Sequence, residues 1–221
     1  MIRNIWAIGR NYLDHIKELG NTMPTDTTDP GSTTPEPMIF LKAGTTVVPN
    51  GRIIRYPSFT KELHYETELA VRLVLGDDGQ LSVDALTVAL DLTARDVQNV
   101  VKAKGQPWTL AKSFTDACPL GDWVSVSRLK QDGGKSNDEI FATLQNLELS
   151  LHVNGELRQQ GHTKDMIFNV RQICEYLVSR FPVQSGDVLL TGSPAGVGPI
   201  VPGDQLEAQI TGMTRANWAL S

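Results

Sequence analysis

The chain has 221 residues, with 20 Lys and Arg against 25 Asp and Glu and a formal charge of −5 at pH 7, a balance that argues against nucleic acid or any other polyanion as partner. Hydrophobic residues make up 40% and charged residues 20%, the composition of a globular domain, and no uncharged apolar run approaches the roughly 20 residues of a membrane-spanning helix. The two cysteines, Cys118 and Cys174, and the short apolar stretch between Arg3 and Arg10 suit neither a disulfide framework nor a secretory leader, so the expectation is one cytoplasmic domain over residues 1–221 with reduced thiols.

In chain order, Ile5–Ile8 and Met38–Lys42 are predicted as short strands, with Tyr12–Leu19 as a short helix between them. Residues 21–37 (NTMPTDTTDPGSTTPEP) are crowded with Thr, Pro and Asp, which predicts a flexible loop. From Glu62 to Gly76 the odd positions Leu63, Tyr65, Leu69, Val71, Leu73 and Leu75 are apolar, the period-two signature of one long strand. The apolar run Leu86–Leu90 ends at Asp91. Thr93 and Asp96 stand at capping-box spacing ahead of a helical stripe, Val97, Val100 and Val101, which Gly105 and Pro107 stop.

The polar stretch Lys130–Glu139 is predicted to join two strands at the surface. Leu147, Leu149, Leu151 and Val153 alternate with polar residues into Asn154-Gly155, a strong hairpin signal. Ile167, Val170, Cys174, Leu177 and Val178 mark a second helix, ended by Pro182; Val188–Thr191 and Leu206–Ile210 supply further strands. Many strands with few helices predict an α+β, mainly β fold.

The sharpest chemical feature is Glu66-Thr67-Glu68. In a strand these carboxylates point the same way roughly 7 Å apart, close enough to share one hard divalent cation. The competing reading is a solvent-facing polar side of an edge strand, with Lys61 or Arg72 as partners. Asp91 is either a third ligand or a helix-capping charge worth about 0.3–1 kcal/mol. Three carboxylates with open positions suit Mg²⁺ or Mn²⁺ better than Zn²⁺. His64 shares the face of Glu66 and Glu68 and is expected to hydrogen-bond a ligand carboxylate. His15 and Glu18, three apart on a helix, form either an oriented general base or a local surface ion pair; they precede the loop 21–37, where a lid would lie.

The strings GRNYLDHIKE (9–18), ELHYETELAV (62–71), ALDLTARDVQ (89–98), KGQPWTLAKSFTDACPLG (104–121), VNGELRQQGHTKDMIF (153–168) and LLTGSPAGVGPIVPGD (189–204) resemble the fumarylacetoacetate hydrolase superfamily, most closely its small acylpyruvase and oxaloacetate decarboxylase branch. The resemblance implies a mixed β-sandwich roll with a few short helices, a homodimer, and a Mg²⁺ or Mn²⁺ site at the mouth of the roll. It implies Glu66, Glu68 and Asp91 as metal ligands and His15 with Glu18 as a water-activating dyad on a lid. Lys112 would stabilise an oxyanion, Arg95 and Gln98 would contact the substrate carboxylate, and Thr191 would line the pocket. Ser193 and Tyr65 depart from the commoner Thr and His of the pattern, and the loop 21–37 is longer than usual.

The expected activity is divalent-metal-dependent hydrolysis of a carbon–carbon bond of acylpyruvates, giving pyruvate and a carboxylate from a small 2-oxo acid substrate. Oxaloacetate decarboxylation, keto–enol tautomerisation or hydroxymuconate isomerisation or decarboxylation would use the same chemistry, and a non-catalytic binding module is the alternative from another class. Nucleotide binding fits poorly, because TGSPAGVG lacks a GK[ST] ending and Pro199 interrupts any receiving helix.

Overall fold

A computed structural model describes residues 2–20, 34–129 and 136–221. Positions 21–33 of the predicted lid and 130–135 of the second polar stretch therefore lie outside the described residues. Strand β1 (Asn4–Gly9), helix α1 (Leu13–Glu18) and strand β2 (Met38–Ala43) form as expected, and β1 and β2 pair antiparallel from Asn4–Ala43 to Gly9–Met38. Two short strands follow, β3 (Val47–Pro49) and β4 (Ile53–Ile54).

The single strand expected over 62–76 is broken. Leu63–Tyr65 (β5) and Thr67–Leu75 (β6) flank Glu66 and belong to different sheets; side-chain alternation continues across such a break, so periodicity does not reveal it. Strand β7 (Leu81–Leu90) pairs antiparallel with β6, with a bulge between Arg72 and Leu73. The two-residue strand β8 (Thr93–Ala94) then leads into α2 (Arg95–Ala103) and α3 (Thr109–Lys112). The predicted Thr93–Asp96 capping box does not form: Ala94 is the N-cap and Thr93 is in a strand. The Asp96 carboxylate instead accepts from the backbone N–H of Lys61 and Val97.

After β9 (Cys118–Leu120) and β10 (Val124–Ser125) comes α4 (Asn137–Leu144), a helix where the polar sequence predicts a surface connection. Its signal was present: Ser136 caps Glu139 N–H and Glu139 returns the bond, a true capping box inside a stretch read as loop. The expected hairpin joins β11 (Glu148–Val153) to β12 (Glu156–His162) through Asn154 (φ 53°) and Gly155 (φ 82°), the paired positive φ of a type I′ turn. Helix α5 (Val170–Arg180) is boxed by Asn169 and Gln172 and stops before Pro182. The chain closes with β13 (Val188–Leu190), β14 (Gly198–Ile200), β15 (Gln205–Ile210) and β16 (Thr214–Leu220).

Among the described residues these strands make three sheets. The largest has eight strands in the order β2-β1-β13-β6-β7-β9-β3, with β10 on β7; a five-stranded sheet runs β12-β11-β15-β16-β4, and a three-stranded one β14-β5-β8. Pairing is mixed, since β1–β13, β3–β9 and β4–β16 are parallel. The result is the mainly β, mixed roll that the sequence led us to expect. Leu69, Val71 and Leu73 of β6 share one buried cluster with Leu149, Leu151, Leu206 and Trp218 of the five-stranded sheet, each such side chain contributing about 1.5–3 kcal/mol of burial. The opposite face of β6 carries Ala70, in a second cluster with Ile5, Ala7 and Val188. Glu68, two residues before Ala70, shares that second face. Cys118 and Cys174 are free and buried, as expected, and burial lifts both thiols to about 12. No described helix is long and apolar enough to cross a membrane.

Candidate metal centre and active site

The β6–β7 register builds the centre. Thr67 pairs with Leu90 and Glu68 with Ala89, so one step further places Glu66 beside Asp91, a step fixed by the Asp91 N–H donating to Glu66 O at 2.8 Å. Glu66, Glu68 and Asp91 are all buried, and each offers an oxygen within 4.8 Å of the others'. The solvent-facing edge strand is thereby excluded for these carboxylates. Asp91 is not a helix cap either, since its carboxylate faces two lysines.

Lys112 Nζ donates to Glu66 Oε2 (2.8 Å), Asp91 Oδ2 (2.5 Å) and Thr93 Oγ1 (2.7 Å). Lys42, on β2 and wholly buried, lies 2.5 Å from Asp91 Oδ1, an ion pair off hydrogen-bond geometry; its ammonium also donates to the carbonyls of Leu92 and Lys112. Arg95 NH2 donates to Glu66 Oε1 at 2.5 Å, NH1 to Gln98 Oε1 at 2.5 Å, and Nε to His64 Nδ1 at 3.4 Å. His64 therefore contacts Glu62 and Arg95, not the ligand carboxylate expected of it. Its imidazole titrates below the usual value because it is partly buried and faces the Arg95 cation.

The three acids are not equivalent. Burial alone would raise Glu66, but Lys112, Arg95 and His15 outweigh it and hold the carboxyl well below the ordinary range. Glu68 is pushed well above that range by burial and then by the charges of Asp91 and Glu66. Among the described residues Glu68 forms no ion pair; its Oε2 accepts the Gly192 N–H at 2.7 Å. A buried carboxylate without a cation partner, facing two others, in an all-oxygen donor set, fits a hard divalent ion. Lys112 is held charged by Asp91 and Glu66 against the opposing effect of its burial.

His15 and Glu18 meet as predicted, Nδ1 to Oε2 at 3.3 Å, with His15 buried and Glu18 fastened by the Gly196 N–H at 3.0 Å. A carboxylate only accepts, so Nδ1 is the donor and Nε2 is the basic nitrogen. His15, Glu66, Glu68, Arg95, Gln98 and Lys112 all line one cavity, whose water-accessible space is about 30 Å³. Thr191 is placed differently: its hydroxyl donates to Leu69 O at 3.0 Å, and it is the next residue, Gly192, that reaches Glu68. Gly192 has φ +95°, and a Cβ there would sit 2.7 Å from Asn11 Cβ, so this position admits glycine alone without strain.

The chain matches the fumarylacetoacetate (FAA) hydrolase C-terminal family over residues 4–219. It belongs to that family. It is 39% identical over 217 residues to the mitochondrial oxaloacetate tautomerase FAHD1 of Bos taurus, covering 96% of this chain and 88% of the relative. It is 36% identical over 220 residues to the mitochondrial oxaloacetate decarboxylase of Dictyostelium discoideum, covering 96% and 90%. Its fold superimposes with a TM-score of 0.81 on a fumarylpyruvate hydrolase from Pseudomonas aeruginosa, solved in complex with Mn²⁺ and pyruvate, at 28% identity over 99% of this chain and 89% of that one.

For this member of the family, sequence reasoning missed Lys42, Thr93 and Gly192. A lysine in an alternating strand reads as surface, and no local pattern marks its burial. Thr93 carried a capping signal that concealed its bond to Lys112.

Proposed function

We propose that the protein is a divalent-cation-dependent oxaloacetate tautomerase that also decarboxylates oxaloacetate, with Mg²⁺ or Mn²⁺ as the ion. The observation that carries this reading is the cluster of Glu66, Glu68 and Asp91, whose two glutamates share one cavity with His15, itself paired with Glu18. The names borne by relatives at 39% and 36% identity support oxaloacetate as the acid. Acylpyruvate hydrolysis, the activity first expected, takes second place; likeness to the fumarylpyruvate hydrolase supports it at lower identity.

Glu66, Glu68 and Asp91 would hold a hard divalent ion, which would supply the Lewis acidity that acidifies the C3–H of a bound 2-oxo acid. His15 Nε2 takes the C3 proton while Glu18 steadies the resulting imidazolium through Nδ1. The C–H electron pair becomes the C2–C3 double bond, the charge moves to O2, and the positive charge of Lys112, kept protonated by its carboxylates, stabilises that oxygen electrostatically. Protonation of O2 by solvent, with His15 releasing its proton to solvent, gives the enol; return of the proton from His15 to C3 restores the ketone. In decarboxylation the C3–C4 bond breaks instead, CO₂ leaves, the bonding pair becomes the C2–C3 double bond of pyruvate enolate, and a proton that His15 has taken up from solvent passes to C3 to give pyruvate.

The test is to follow oxaloacetate enol absorbance with Mg²⁺, with Mn²⁺ and with EDTA, beside acylpyruvate cleavage. Metal-dependent ketonisation with the larger kcat/KM supports the proposal. A larger kcat/KM for acylpyruvate, or turnover undiminished by EDTA, overturns it.

A further inference from the structure

The cavity lined by Glu66 and Glu68 is also cationic. Its walls carry Arg10, Arg95 and Lys112 against Glu66 and Glu68, Lys102, already engaged, lies on the same wall, and Lys42 behind them balances Asp91. The walls thus bear a surplus of positive charge before any metal is added, and a divalent ion enlarges it. A dianion offsets that surplus better than a monoanion does.

The four cations differ in what they already hold. Lys112 is bound to Glu66 and Asp91, and three of the five N–H groups of Arg95 go to Glu66, Gln98 and His64. Arg10 is different: among the described residues it forms no ion pair, and its Nε is buried without a hydrogen-bond partner. A buried guanidinium N–H left unpaired costs about 1–3 kcal/mol or more, so the position calls for an acceptor. Lys102 lines the same wall, and its ammonium titrates below the usual lysine value because of burial and the facing charges of Arg10 and Arg95.

Arg10 is also held in place. Its φ of +59° is uncommon for a non-glycine residue. On one side Asn11 bridges three backbone groups, donating to Phe168 O and Thr191 O and accepting the Phe168 N–H. On the other, Gly9 packs so closely that an added Cβ would lie 3.2 Å from the Trp108 ring and 3.3 Å from Met38 Sδ. The backbone that presents the guanidinium is therefore clamped before any ligand arrives.

We propose that Arg10, with Lys102 beside it, is the receptor for the second carboxylate of a dicarboxylic 2-oxo acid. This rests on the proposed function in naming the acid: the group bound is the C4 carboxylate of oxaloacetate, and the planar guanidinium suits a carboxylate bidentately. Arg10 is then what distinguishes a dicarboxylate from an acylpyruvate with a neutral tail at the same centre.

Malate and lactate, stable 2-hydroxy acids that differ by the distal carboxylate, are the probes, titrated calorimetrically into the Mg²⁺-loaded protein. Wild type binds malate at least tenfold more tightly than lactate. Arg10→Asn and Arg10→Gly, both compatible with positive φ, reduce that preference below threefold without weakening lactate, and Arg10→Lys retains part of it. Equal affinities in wild type, or an undiminished preference in both Asn and Gly variants, overturn the assignment. Turnover is scored separately: malate preference lost on Arg10→Asn in a protein inactive on oxaloacetate upholds the anion receptor and sinks the proposed reaction. The converse, activity with malate preference intact in the variants, sinks only the receptor.

Discussion

Lys42 Nζ lies 2.5 Å from Asp91 Oδ1, and their side chains are 0% and 1% exposed. Removing one member of such a pair strands the other charge in a low-dielectric interior. Asp91 retains Lys112, so Lys42→Met is expected to cost roughly 3 kcal/mol, near the low end for a broken buried pair. Chemical denaturation measures it, and adding Asp91→Asn recovers part of the loss. A change below about 1 kcal/mol contradicts this account.

Glu68 predicts an opposite sign. A carboxyl whose folded value is raised stabilises the protein at pH below its unfolded value, and that contribution disappears as pH rises through the folded one. The ion-free protein should therefore lose stability as pH rises above the ordinary carboxylate range, through the raised Glu68 value. Glu68→Gln, which removes the anion, is expected to raise ion-free stability at pH 8 by on the order of 1 kcal/mol. The same variant loses the thermal shift that Mg²⁺ gives wild type. Wild-type affinity for Mg²⁺ rises with pH, since the ligand must shed its proton. A variant that still gains stability from Mg²⁺ to the wild-type extent removes Glu68 from the ligand set.

The His15–Glu18 pair separates binding from proton transfer. His15→Ala is expected to lower kcat for oxaloacetate ketonisation by about 10²–10⁴, the usual worth of a general base. Glu18→Gln keeps an acceptor for Nδ1 but removes the negative charge, and should cost less. Both variants keep the Mg²⁺-induced shift in Tm, because neither side chain is among the three acids. Stopped-flow enol absorbance gives the rates; an unchanged kcat in His15→Ala rules out its role as base.

Gly192→Ala tests the backbone that serves Glu68. The new methyl meets Asn11 Cβ at 2.7 Å, at a φ of +95° that alanine adopts poorly, and strain of this kind costs about 1–3 kcal/mol. Thermal melting should show the loss, and Mg²⁺ titration a weakened affinity as the N–H is displaced from Glu68. Wild-type melting and affinity together would show that the turn accommodates a side chain.

Much of the site was legible because its chemistry is written locally. Glu66 and Glu68 are two residues apart in extended chain, and His15 and Glu18 three apart in helix, so spacing alone placed each pair on one face. The hairpin at Asn154-Gly155 and the stop at Pro182 were likewise local. What spacing cannot convey is which distant segment closes on a residue. Lys42 comes to Asp91 through the β1–β2 pairing, and Gly192 comes to Glu68 through the end of β13 beside β6; neither has a neighbour in sequence that announces it. Thr93 and Ser136 make the complementary point. Both offered a capping pattern, but a buried lysine claims the hydroxyl of Thr93, whereas no other described residue competes for that of Ser136.

The interruption at Glu66 gives the acidic cluster a seam. Residues 63–65 belong to the three-stranded sheet and 67–75 to the eight-stranded one, so one acid stands on the joint while Glu68 is anchored inside the larger sheet. The gap between them is then set by how the small sheet is seated. That seating depends on fittings outside the cavity, such as the Tyr65 hydroxyl pressed against Gly198, where even a methyl would come within 2.8 Å. Affinity for an ion held by these acids would accordingly be open to tuning from residues that never touch it.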